Sequence, residues 1–246
     1  MATAFIQSHP ETIRFPLMER PLIGFLLALM AGSTNAWTLA HAGTFSTVQS
    51  GNIVQIGYRL AQNDWPAFWF AFWSVIAFGL GSAVCGVVMT SFLRHRRVYT
   101  RYILFFEFVA LVALAWAASV GLIRPHYVAY GVSFVAGAQG NAFHKEHGML
   151  YGNVAVTFVV QMAFNFLAQA MFKKEGINGE PNLMWSGLFF SVLFGFTLGG
   201  CVGFVVDRLV FDSSSLILAA LIALAIWLCA LASVKDADPT PGGMMA

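Results

Sequence analysis

Apolar residues run along this chain in long blocks rather than in alternation. A crossing helix needs about 20 mostly apolar residues. Six blocks are predicted to cross: 22–40, 67–92, 102–122, 127–143, 184–206 and 216–234. Two further stretches, 44–61 and 154–172, keep a helical pattern but carry amides and hydroxyls. In the first, Gln49, Asn52, Gln55 and Arg59 recur at steps of three, three and four, punctuated by Gly43, Gly51 and Gly57. In the second, Asn153, Thr157, Gln161, Asn165 and Gln169 fall every four residues. On a helix that spacing gives one slowly drifting stripe. Amides in hydrocarbon are costly unless hydrogen-bonded, so each ladder must face other helices or a wet cavity. Residues 43–50 read as an irregular lead-in with Ser50 as helix cap. The helix is expected to begin or break at Ser50-Gly51-Asn52. Exposed backbone N–H groups and amides there could hold a small polar or anionic ligand.

Composition sharpens the class. Apolar residues make up 59% of the 246 and charged residues only 10%, against about 25% charged in a soluble domain. That is an all-α integral membrane protein, with the lipid bilayer as its first partner. The 24 Phe and 7 Trp suit lipid-facing and interfacial positions. A net charge of +2 gives no basis for nucleic-acid binding. Cys85, Cys201 and Cys229 sit inside apolar runs without metal spacing and read as reduced packing residues. The first twenty residues lack the basic start and cleavage site of a signal peptide, so the first apolar run reads as a retained span. No lipid-anchor motif is expected at either end.

The basic residues bear on topology, because they favour the cytoplasmic side. If all eight segments cross, the 13 Lys and Arg divide almost evenly. If only the six clear blocks cross, Arg14, Arg20, Arg94, Arg96, Arg97, Arg101, Lys145, Lys173, Lys174 and Lys235 share one side. Arg59, Arg124 and Arg208 lie on the other. The asymmetry favours six crossings, both termini cytoplasmic, and two broken or re-entrant segments.

The chain also repeats itself. "AGSTNAWTLAHAG" (31–43) resembles "AGAQGNAFHKEHG" (136–148), matching Asn35 to Asn141 and His41 to His147. Each half reads span, polar segment, span, span. Three crossings per half would set the second half upside down, the inverted-repeat design of many transporters. The expected organisation is an N-terminal segment 1–21, a first membrane repeat 22–122, a second repeat 123–234 and a flexible tail 235–246.

Other polar residues read more plainly. Glu107, inside a span, is an acid about one and a half turns from Arg101, and pairing with an arginine or snorkelling is expected. Asp207 and Arg208 read as a boundary ion pair. His144, Glu146 and His147 are a weak metal signal, since no third well-spaced ligand joins the two histidines. Gly195, Gly199 and Gly203 suggest a close helix-packing face. No nucleophile–base arrangement, phosphate loop, metal site or cofactor motif is present, which argues against an enzyme.

"AGSTNAWTLAHAGTFSTVQSGNIVQIG" resembles the N-terminal signature of the YoaK family, bacterial multi-pass inner-membrane proteins of unknown function often described as permeases. Gly32, Asn35, Ala36, Gly43, Phe45 and Ser50-Gly51-Asn52 occupy the family's motif positions, and "GAQGNAF" resembles its second-half run. The resemblance spans residues 22 to about 234. Two positions depart from it: the family's Asp is Asn35 here, and Val160-Gln161 stands where the second-half Thr-Gly pair is expected. The resemblance implies a bacterial inner-membrane permease and brings no substrate with it. The expected site is a polar midplane cluster of Asn35, Gln49, Ser50, Gly51, Asn52, Asn141, Thr157 and Gln161, binding a small polar or anionic solute. The alternative is a scaffold or accessory subunit that packs against a partner membrane protein or a second copy. An intramembrane enzyme has the least support.

Overall fold

The computed structural model describes residues 15–146, 149–176, 179–233 and 237–239. Among these the chain forms eight α-helices: α1 (Pro21–Ala42), α2 (Gln49–Ala61), α3 (Trp65–Arg94), α4 (Thr100–Ser119), α5 (Pro125–Ala142), α6 (Thr157–Phe172), α7 (Asn182–Leu209) and α8 (Ser214–Ala232). Two-residue strands, β1 (Lys145–Glu146) and β2 (Met149–Leu150), pair antiparallel between α5 and α6. Proline opens α1 and α5 where its missing N–H costs nothing. Asp64 caps α3 by accepting from the Ala67 N–H at 3.3 Å. His147 and most of the terminal segments 1–21 and 235–246 lie outside the described residues. The described part of the tail is docked: Ala237 accepts from the Met18 N–H, and the Asp238 carboxylate accepts from Tyr99 and Thr100 N–H.

Five helices, α1, α3, α4, α7 and α8, are long and apolar enough to cross a membrane. The expected sixth, α5, is not among them, because His126, Ser133, Gln139 and Asn141 interrupt its apolarity. Ten of its residues are buried, so protein rather than lipid surrounds much of it. The outer surface of the bundle is apolar, with Trp69, Trp73, Phe105, Trp116, Phe194 and Leu228 exposed, as lipid contact requires.

Helix directions follow from who meets whom. Phe25, Leu29 and Ser33 of α1 meet Gly195, Gly199 and Gly203 of α7, so these helices run parallel. Phe70, Ser74 and Phe78 of α3 meet Tyr130, Ser133 and Gly137 of α5 in the same order, also parallel. Against α1, α5 runs the other way: Gln139 donates to the Leu27 carbonyl, while Trp37 shares a buried cluster with Val128 and Val132. Consequently α1 ends and α3 begins at one end of the bundle, and α5 ends and α7 begins at the other.

Exchanging α1–α4 with α5–α8 maps most packed pairs onto each other: α1–α7 onto α5–α3, α2–α3 onto α6–α7, and α1–α8 onto α5–α4. The α7–α8 contact has no counterpart of similar extent. The two main crossings share one device. A Cβ on Gly32 would strike the Phe196 carbonyl, and one on Gly199 the Leu29 carbonyl. Correspondingly, a Cβ on Gly137 would strike the Phe78 carbonyl, and one on Gly81 the Phe134 carbonyl. Glycine lets these helix backbones touch, as small residues do in membranes.

Three sequence expectations need correction. Ser50 is not a cap and Gly51 is not a break: α2 starts at Gln49 and runs unbroken through both. The left-handed residue of this stretch is Gly43 (φ 67°), which terminates α1. Glu107 does not pair with Arg101; it is enclosed, and neither carboxyl oxygen has a partner among the described residues. Asp207 does not pair with Arg208. Its carboxylate accepts from both the N–H and the hydroxyl of Ser215 at 2.7 Å, tying the start of α8, while Arg208 lies over the Phe204 ring.

Candidate functional site

After Gly43 the chain turns back into the bundle. Thr44 N–H donates to the Thr38 carbonyl, Ser46 N–H to the Thr38 hydroxyl, and Thr47 N–H to Asn35 Oδ1. The lead-in therefore retreats alongside α1. At its deepest point Asn35 Nδ2 donates to Thr47 Oγ1 (2.6 Å), and Thr47 Oγ1 donates to the Val154 carbonyl of the second half (2.7 Å). From there α2 climbs back along α3, from Asn52 beside Ser74 to Arg59 beside Asp64.

A second set of bonds braces the start of α2. Asn52 accepts from Thr44 Oγ1 (3.1 Å) and donates to Gln49 Oε1 (2.9 Å) and Ser74 Oγ (3.1 Å). Ser74 in turn bonds Ser133 of α5 (3.0 Å), and Gln49 donates to the Ser46 carbonyl. Side chains thus satisfy backbone groups that an irregular segment leaves open, as low-dielectric surroundings demand. The counterpart segment behaves alike where Asn153, buried, donates to the Phe143 carbonyl at 2.8 Å.

Of the expected site residues, the structure brings together Asn35, Gln49 and Asn52. Ser50 and Gly51 are exposed on the outer side of α2. Asn141 lies apart, its amide 3.6 Å from Met89 Sδ. Thr157 and Gln161 are exposed, as are Asn165 and Gln169, because α6 packs on α7 through Val159, Ala163 and Phe166 instead. The amide stripe of α6 thus lies on its exposed side, away from α7. Sequence reasoning missed Thr44, Thr47, Ser74 and Ser133. Thr44 and Thr47 lie in the quoted polar lead-in, whereas single serines inside apolar helices gave no periodic signal.

Two clefts flank this network. One, of about 360 Å³, opens between α1, α7 and the lead-in; Gly32, Asn35, Phe45, Thr197 and Phe204 line it, and its wall is nearly all apolar. The other, of about 420 Å³, lies between the starts of α3 and α5, lined by Asp64, Trp69, Phe70, Arg124, His126 and Tyr130. Phe70 and Tyr130 lie about one helical turn above the Ser74–Ser133 bond. A charged mouth therefore stands over the polar network. No cluster of three or more His, Cys, Asp or Glu that could hold a metal occurs among the described residues.

A family model described as "Protein of unknown function (DUF1275)" matches residues 23–229. No curated protein and no solved structure matches the chain.

Proposed function

The chain belongs to the DUF1275 family, and from that premise we propose that it is a small-solute permease of the bacterial inner membrane. The resemblance to the YoaK family is compatible with this membership. In this reading six helices cross, α5 included, both termini are cytoplasmic, and the halves are an inverted repeat. The helix directions, the exchange of packed pairs and the distribution of basic residues support it. Segments 44–61 and 154–172 are then re-entrant, each entering and leaving at one end.

The observation that carries the proposal is the tip-to-tip contact of the two segments, Thr47 Oγ1 to the Val154 carbonyl. Among the described residues this side-chain hydrogen bond links the two segments, the kind of contact that alternating access can break and remake. Asn35, Gln49 and Asn52 would offer their amides to a polar or anionic solute entering past Arg124 and His126. Catalysis has no part in the proposal.

The test begins with thermal-shift screening of purified protein against a metabolite library, followed by uptake into proteoliposomes. Thr47→Val removes the tie; it should lower stability by about 1–2 kcal/mol and change the uptake rate of every solute found, while Thr47→Ser should not. If wild type and an Asn52→Ala variant handle each ligand identically, the site assignment fails.

A second reading, an accessory subunit, is favoured by the exposed amides of α6. Thr157, Gln161, Asn165 and Gln169 would be satisfied by a partner helix. Recovery of a stoichiometric membrane partner, with no solute bound, would support it.

A further inference from the structure

Glu107 lies on the inward face of α4, in line with Thr100, Ile103, Leu104, Leu111 and Ala115, and is fully enclosed. Neither carboxyl oxygen has a hydrogen-bond partner. Among the described residues, the groups around it supply no counter-ion. On α3, Cys85 is the titratable group close enough to feel its charge. The Cys85 thiol and the Asn141 amide both turn to Met89 Sδ, at 3.5 and 3.6 Å. The titratable residues of α5, His126, Tyr127 and Tyr130, are at its opposite end, as is His41 of α1. On α8 the titratable residue is Cys229, which is exposed. On α4 itself Arg101 and Tyr102 lie at the entry to the helix, where Glu19, Tyr99 and Asp238 also gather.

We infer that Glu107 is a proton-exchange site inside the bundle, and that the proton is the coupling ion of the transport cycle. An ionised carboxylate sealed without donor or cation is costly. The enclosed state therefore accommodates the acid form. A metal cation is a poor occupant, since hard cations need several oxygen ligands and the polar atoms grouped with Cys85, which senses Glu107, are a thiol, a thioether and an amide turned to sulfur. An acid that never ionised would contribute less here than an apolar side chain of similar volume. When the bundle opens toward water, the O–H bond breaks and the proton passes to water; on closure a proton is taken up and the O–H bond reforms. The coupling role rests on the permease reading; the exchange site does not.

Infrared difference spectroscopy on the full chain in lipid tests the site. The expected result is a carbonyl stretch of a neutral carboxylic acid that shifts in heavy water and declines as pH rises. Glu107→Gln should abolish it and Glu107→Asp should keep it at a displaced frequency. A band indifferent to pH and heavy water, or no such band, overturns the inference. Should the Gln variant not fold, wild type alone suffices: a membrane-permeant carbodiimide should modify Glu107 in a pH-dependent manner seen by mass spectrometry, and no adduct there overturns the inference. Proteoliposomes loaded with a pH dye separate the two readings. A titrating Glu107 without solute-dependent proton entry keeps the exchange site and rejects the coupling role, while solute uptake into the same vesicles tests the permease separately.

Discussion

At the scale of single residues, the amide at position 35 sets the direction of a hydrogen-bond chain. The Thr47 N–H donates to Asn35 Oδ1, which fixes the amide's orientation. Asn35 Nδ2 must then donate to Thr47 Oγ1, and the Thr47 proton is left to point at Val154. A carboxylate at 35, the residue of the YoaK motif, has no proton to give. It would accept the Thr47 hydroxyl proton itself and release Val154. Asn35→Asp should therefore lower the melting stability by about 1–2 kcal/mol and raise hydrogen exchange around residues 44–48 and 152–156. Unchanged exchange in both segments would count against the described chain of bonds.

Among elements, glycine has two opposite meanings in this chain. At Gly81 and Gly199 a Cβ would collide with a carbonyl of the crossing helix. At Gly51 and Gly57 nothing lies within 4 Å, and both sit inside helix α2. Gly81→Ala and Gly199→Ala should each force the helices apart and destabilise by about 1–3 kcal/mol, to a similar degree if the crossings are equivalent. Gly51→Ala should instead stabilise by about 0.5–1 kcal/mol through helix propensity. Thermal melts of the three variants in one detergent decide this; destabilisation by Gly51→Ala would mean that the irregular break does lie there. The four-residue spacing of Gly195, Gly199 and Gly203 disclosed the α7 face in advance. The spacing of the α6 amides was equally regular, yet it marked an outward face. Periodicity identifies a stripe but not which side of it the neighbours occupy.

For the whole molecule, the arrangement of ends makes a topological prediction. Residues 62–64 and 121–124 lie at one end of the bundle, and 95–97 at the other. Single cysteines placed at Asn63, Gly121 and Arg96, in a background with the native thiols replaced, should label accordingly. A membrane-impermeant reagent added outside should reach the first two and spare the third. Labelling of Asn63 and Gly121 from opposite sides would sink the six-crossing arrangement.

The sequence by itself determined the membrane class, the long apolar helices and the existence of two polar segments, because hydrocarbon thickness and the cost of unsatisfied backbone act on local composition. It also disclosed the span, polar segment, span, span order of each half. Only tertiary structure decided what those polar residues touch. Asn35 became a brace for the non-helical lead-in by accepting its Thr47 N–H, and Asn52 tied that lead-in to α3 through the side chains of Thr44 and Ser74. Thr157 and Gln161 turned outward because the apolar side of α6 found α7. Glu107 was legible as an intramembrane acid but not as an unpartnered one, because its isolation is a property of α3, α5 and α8 rather than of its own helix.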